Sequence, residues 1–266
     1  MLKPIVLIVA VLLSAPVTLA QRTSPASKEE LAAITERGRQ LAEYDVAAWY
    51  ATDAVFALKP VEGSITRYIA KKTDNRWTVV FGRFNEKRDR FLVVYEANAG
   101  TNPKEFNVKK YDVPKEDAGF YFSAAKAIET ALADFRGEKR PYNVAVLPAT
   151  SNQMYVYVVP AQTKQNVYPL GGDVRYLVSS DGSKIVEKRQ LHKAIIEFEV
   201  SENTEAGFNV AVLDDIPEDT DVFHVLSRKP AIPQWVGTNK YIYRIEPDGT
   251  INYIMTREAF MKIGGK

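Results

Sequence analysis

The chain has 266 residues, 46% of them hydrophobic, with 35 Lys and Arg against 33 Asp and Glu and a formal net charge of +2. That composition is neither disordered nor collagenous, and so small a charge gives no electrostatic basis for gripping nucleic acid. There is no Cys and there are only 2 His, which excludes disulfides, Cys-zinc and iron–sulfur sites, thiol nucleophiles, a lipidated cysteine and a three-His metal centre.

The N-terminus reads as an address. Lys3 precedes an apolar run from Ile5 to Leu13, and small residues lead to Thr18-Leu19-Ala20. A positive start, an apolar stretch and a small residue before the cut form the pattern of a secretory signal peptide, cleaved after Ala20. The competing reading is a retained anchor. Pro4 to Ala20 contains Pro16 and is at the short limit for a span of about 20 residues. No later segment approaches a spanning length, so no stable membrane span is expected once the signal is removed.

Residues Gln21 to Ala26 are polar and read as a short disordered leader. Ser27 and Glu30 stand in capping-box spacing, which starts a helix at Lys28. Ile34, Leu41, Ala48 and Val55 repeat every seven residues, with Tyr44, Trp49 and Phe56 widening the stripe. The spacing predicts a helix to about Leu58, ended by Pro60, with its stripe on the protein's own sheet. Gly38 inside it costs about 1 kcal/mol against Ala.

From Ser64 the period changes to two. Ile65 to Lys71, Trp77 to Phe84 and Phe91 to Ala97 read as an antiparallel meander, with Phe106 to Val113 as a fourth strand. Pro114 reads as a first-turn residue of a second helix carrying Ala125, Ile128, Leu132 and Phe135, or the helix starts later at Ser123. Gly137 closes it. Strands follow at Tyr142 to Leu147, Met154 to Val159, Asp173 to Ser179 and Lys184 to His192. The last two are joined by an Asp181-Gly182 hairpin turn. Ala194 to Val200, Phe208 to Leu213, Val222 to Arg228, Lys240 to Glu246 and Ile251 to Thr256 complete the set before a short helical tail.

The expected fold is α+β, with antiparallel meander sheets and two main helices. The order helix-then-meander occurs twice, which divides the chain into a signal at 1–20 and helix-plus-sheet units at 21–113 and 114–266. Each unit resembles, in architecture only, the helix-plus-curved-sheet shape of cystatin-like and PepSY-like exported modules. In sequence, Leu170-Gly171-Gly172-Asp173-Val174-Arg175-Tyr176, Asp181-Gly182-Ser183, Leu191-His192-Lys193, Asp221 to Leu226 and the terminal Tyr243-Arg244-Ile245 hairpin resemble exported bacterial α+β proteins without an assigned activity. No functional residue carries over from that resemblance.

Chemistry-bearing residues are sparse. His192 and His224 are each in phase with apolar neighbours and read as core histidines. The functional alternative makes either a general base oriented by Asp173 or Asp221. Gly171-Gly172-Asp173 reads as a tight lead into a strand. Asp173, Arg175, His192 and His224 are the candidate ligand contacts. Asp214, Asp215, Glu218, Asp219 and Asp221 crowd around Pro217 without EF-hand spacing, and read as a solvated turn rather than a calcium loop. Arg83, Lys87, Arg88 and Arg90 at a hairpin tip, and the alternating Tyr155, Tyr157, Tyr241, Tyr243 and Tyr253, read as surface charge and sheet packing. No catalytic residue, metal or cofactor is expected.

The expected function is that of an exported, non-catalytic binding or interaction protein of the bacterial envelope, periplasmic or secreted. Its partner would be a protein or an envelope polymer. A carboxylate-dependent hydrolase and a peptide-binding assembly factor using a strand edge are the alternatives. Expressed with its leader in a bacterial host, the mature protein is expected to begin at Gln21. Intact-mass measurement checks this, and a full-length mass would mean a retained anchor.

Overall fold

The computed structural model describes residues 22–264. The leader expected at 1–20 lies outside the described residues. Among those described, no helix is long and apolar enough to cross a membrane.

Helix α1 spans Lys28–Phe56 and opens with the expected capping box: Ser27 N donates to Glu30 Oε2 at 2.8 Å, and Glu30 N to Ser27 Oγ at 3.2 Å. A meander follows, β1 (Arg67–Thr73), β2 (Arg76–Phe84), β3 (Phe91–Ala99) and β4 (Phe106–Asp117), forming one sheet in sequence order. Helix α2 spans Phe120–Asp134. Strands β5 (Tyr142–Pro148), β6 (Met154–Pro160), β7 (Val167–Leu170), β8 (Val174–Val178), β9 (Ile185–Gln190), β10 (Ile196–Glu199) and β11 (Gly207–Val210) come next. Helix α3 (Asp219–Ser227), β12 (Gln234–Gly237), β13 (Tyr241–Ile245), β14 (Ile251–Thr256) and α4 (Arg257–Gly264) finish the chain. A second sheet has the order β5-β6-β8-β9, a third β11-β12-β13-β14, and β7 pairs with β10. The fold is α+β with antiparallel sheets, except that β11 runs parallel to β12.

Period-two alternation sends side chains of the first two sheets to opposite faces. Val79, Phe81, Ala97, Ala145, Leu147 and Tyr157 join the α1 stripe in one core. Ile69, Val80, Val93, Val146, Val156 and Val158 join Ala124, Ala125 and Ile128 of α2 in another. Each core therefore draws on both sheets and on residues from both sides of position 113. A third core joins Leu31 and Ile34 of α1 to Val222 and Val225 of α3 and to Tyr243 and Ile245 of β13. The heptad-spaced residues of α1 thus serve two cores along one helix.

Four local expectations change. Residues 22–26 are not a loose leader: Ala26 is buried, its N–H donates to Tyr243 Oη at 3.0 Å, and Arg22 pairs with Glu30 at 2.6 Å. Trp49 and Phe56 leave the buried stripe and are exposed. Pro114 lies within β4, an edge strand that tolerates a missing N–H, so the second helix starts at Phe120. Residues 219–227 are helix rather than strand. The packing reading of the tyrosine row holds for Tyr157, Tyr241 and Tyr243, which are buried, while Tyr253 is exposed.

Gly38 also changes meaning. A Cβ there would lie 2.5 Å from Val222 Cβ and 2.6 Å from the Asp219 carbonyl oxygen. The glycine lets α1 and α3 touch backbone to backbone, and that contact outweighs helix propensity. Gly38→Ala is expected to destabilise by about 1–3 kcal/mol through overpacking, not to stabilise by about 1 kcal/mol as propensity alone predicts. Urea unfolding of the two proteins decides the sign.

Candidate functional site

The acidic run around Pro217 is not a solvated turn. Glu218, Asp219 and Asp221 are buried, the last two completely. They form the N-terminus of α3, where carboxylates complement the exposed N–H groups and the helix dipole. Glu218 N donates to Asp221 Oδ2 at 2.8 Å.

Each buried carboxylate has partners from distant parts of the chain. Asp219 accepts from Arg37 Nε of α1 at 2.9 Å, Arg175 Nη1 of β8 at 2.5 Å and Tyr157 Oη of β6 at 2.8 Å. Tyr157 and Arg175 are cross-strand partners, which sets their side chains on one face. Glu218 accepts from Arg189 Nη2 at 2.6 Å, and that nitrogen also reaches Asp214 at 3.0 Å. Asp221 lies 3.2 Å from His192 Nε2 and accepts from Asn209 Nδ2 at 3.1 Å. Gln234 then donates to Asn209 at 2.7 Å, and Arg228 donates to Gln234 at 2.7 Å.

His192 Nδ1 lies 2.9 Å from Asp173. The double glycine makes this meeting possible. Gly171 and Gly172 have φ of +95° and +65°, and a Cβ on Gly171 would lie 2.0 Å from the Ala194 carbonyl oxygen. The chain around His192 therefore rests directly on the glycines, and Leu191 N donates to the Asp173 carbonyl at 3.1 Å.

Burial opposes charge on His192, but the carboxylates of Asp173 and then Asp221 outweigh it, and its pKa is raised well above 6.5. It is an imidazolium clamped at both nitrogens. It has no free lone pair with which to act as a base. Burial pushes the Glu218 carboxyl up to about 7 despite the Arg189 guanidinium. Among the described residues no group of His, Asp and Glu is arranged to hold a metal ion. The network is a charge-balanced clasp.

Beside the clasp is an open cleft of about 690 Å³. Helix α1 forms one wall, with Asp45, Trp49 and Asp53 one turn apart on its surface. The segment from Pro160 to Pro169 forms the other, and Phe223, His224, Ser227 and Lys229 close it from α3 and the residues after it. Trp49 is 57% exposed. Its indole N–H donates to Asp53 Oδ2 at 3.1 Å, and Lys229 Nζ lies 5.7 Å from its ring centre.

Two groups in this cleft are not satisfied. Asp45 has no hydrogen-bond or ion-pair partner among the described residues, and burial raises its pKa to about 6. Burial and then the nearby Arg228 charge hold the His224 pKa well below 6.5. Its buried Nε2 is left without a hydrogen-bond partner.

Of the four sequence-derived contacts, Asp173, Arg175 and His192 meet in the clasp. His224 stands apart, in the cleft, against Phe198 at 5.2 Å between ring centres. Sequence reasoning missed Arg37, Asp45, Trp49 and the buried state of Asp219 and Asp221. The visible signal was the acid run itself, since five carboxylates in eight residues need either water or distant cations.

No family model, curated protein or solved structure matches the chain.

The His192 clamp has a pH signature. Its folded pKa is raised, so its stabilisation is complete below about 6.5 and is lost as pH rises through the folded value. The Asp221 carboxyl, buried but held low by His192, has the opposite dependence and fails in acid. Chemical denaturation from pH 7 to 10 is expected to show falling stability in the wild type. In His192→Gln that alkaline slope should be missing.

Proposed function

We propose that this chain is an exported, non-catalytic binding protein of the bacterial envelope, periplasmic or secreted, that takes its ligand in the cleft between α1 and α3. The N-terminal residue pattern supports export. One observation carries the binding reading. The clasp residues are committed to one another, whereas Asp45, without a partner, and the exposed Trp49, one turn further along α1, both line the cavity. Concave sites with aromatic walls and a few placed polar groups are where small ligands bind.

The alternatives have less support. A hydrolase needs paired carboxylates, and Asp45 with its pKa near 6 would suit a general acid. The other cleft carboxylate, Asp53, is already engaged by the Trp49 indole. Peptide addition at an edge finds β4 guarded by Lys109, Lys110, Pro114 and Lys115, with a register shift against β3. Such residues are the usual protection of an edge against pairing.

A thermal-shift screen of small polar molecules tests the binding reading. Amines, amino acids, dipeptides and mono- and disaccharides form the set. A true ligand at about a hundred times its Kd should raise Tm by roughly 5–10 °C in the wild type. The shift should vanish in Trp49→Ala, whose side chain is too exposed to matter for folding. No shift from any compound, or shifts that ignore Trp49→Ala, would overturn the proposal.

A further inference from the structure

The lining of the cleft narrows the ligand class, granted that the cleft binds a ligand at all. Its α1 wall is acid, indole, acid: Asp45, Trp49 and Asp53 at successive turns. An aromatic face between two carboxylates attracts a cation and disfavours an anion. His224, the other group without a full set of partners, is neutral, but its Nε2 is wholly buried behind the cleft surface. Tyr68 of β1 also lines the cleft.

Lys229 shows what such a site holds. Its ammonium stands 5.7 Å from the centre of the Trp49 ring. Among the described residues it makes no ion pair. A chain-borne ammonium therefore already occupies the aromatic face, one helical turn from Asp45, with which it makes no ion pair.

We infer that the cleft recognises a primary alkylammonium group, with Asp45 as its counter-charge and the Trp49 face as its seat, and that Lys229 is an internal competitor for that seat. An ammonium is a compact charge with three donors, and the site offers it the Asp45 carboxylate and the ring face. The planar fork of a guanidinium would have to lie in the plane of the Asp45 carboxylate to bond it bidentately, a demand that an ammonium does not make.

The chemistry could come from a lysine side chain or from a free amine. The probes are acetyl-lysine-methylamide, 1,5-diaminopentane and, as the neutral isostere, acetyl-norleucine-methylamide, each followed by calorimetry or by NMR shifts of the Trp49 indole. At least one amine is expected to bind at least tenfold more tightly than the norleucine probe. The stronger of the two identifies the source. Asp45→Asn, which removes a charge with no partner to orphan, should weaken amine binding at least tenfold without lowering the melting temperature, since burial already disfavours the charged carboxylate. Lys229→Met should tighten it several-fold.

The charged and titratable groups around Asp45 are Tyr44 and Tyr68 behind it and Asp53, Lys164, His224 and Lys229 across the cleft. Asp45 is the one among them placed to change charge between pH 7 and 5. Affinity should fall about tenfold over that interval, following the ionised fraction of a carboxyl with its pKa near 6.

Equal binding of the norleucine probe, an unaffected Asp45→Asn, or weaker binding by Lys229→Met would each overturn the ammonium assignment. None of these would touch the binding reading, which fails only if the cleft takes no compound in the thermal screen. If neither amine binds, the assignment also falls, whatever the screen finds.

Discussion

One buried carboxylate organises the molecule. Asp219 is withdrawn from water and is reached by Arg37, Arg175 and Tyr157, from α1, β8 and β6. A buried charge without partners costs several kcal/mol, so α3 can be placed only where those three donors converge. The requirement fixes α3 against α1 and against the second sheet together. Gly38, the residue after Arg37, removes the side chain that would keep the two helices apart. The ion pair and the close approach are two parts of one joint.

The same joint separates scaffold from site. The N-terminal turn of α3 carries the acids of the clasp, and each has donors from elsewhere in the chain. The C-terminal half carries His224 into the cleft. The carboxylates at the N-terminal end of this nine-residue helix are all paired, whereas His224 further along keeps one ring nitrogen without a partner. His192 illustrates how position decides chemistry. An imidazole with one free nitrogen is a base, but one held by carboxylates at both nitrogens is a structural cation. The two histidines thus take opposite charge states, His192 positive between acids and His224 neutral beside Arg228.

Local signals in the sequence led correctly to local structure. Ser27 and Glu30 marked the start of α1, the Asp181-Gly182 pair marked the turn between β8 and β9, and period-two runs marked the first meander. Each of these depends on residues a few positions apart. The reading went wrong where short range was ambiguous. Val222, His224 and Leu226 alternate as a strand would, while Val222 and Val225 also fit one face of a helix. Over nine residues both periods fit, and burial against Leu31, Ile34 and Tyr243 chose the helix. Pro114 fits the first turn of a helix as well as an edge strand, and pairing with β3 decided for the strand.

The amino-acid sequence alone determined the α+β class, the long capped helix, most of the antiparallel hairpins and the absence of thiol chemistry. These follow from composition and from nearest-neighbour geometry. Only the tertiary structure decided that the acid run around Pro217 is buried, that His192 is a clamp, and that Asp45 and Trp49 face a cleft. The reason is one of range. Whether a carboxylate meets water or a guanidinium depends on which distant segment arrives beside it, and Arg37 lies 182 residues from Asp219.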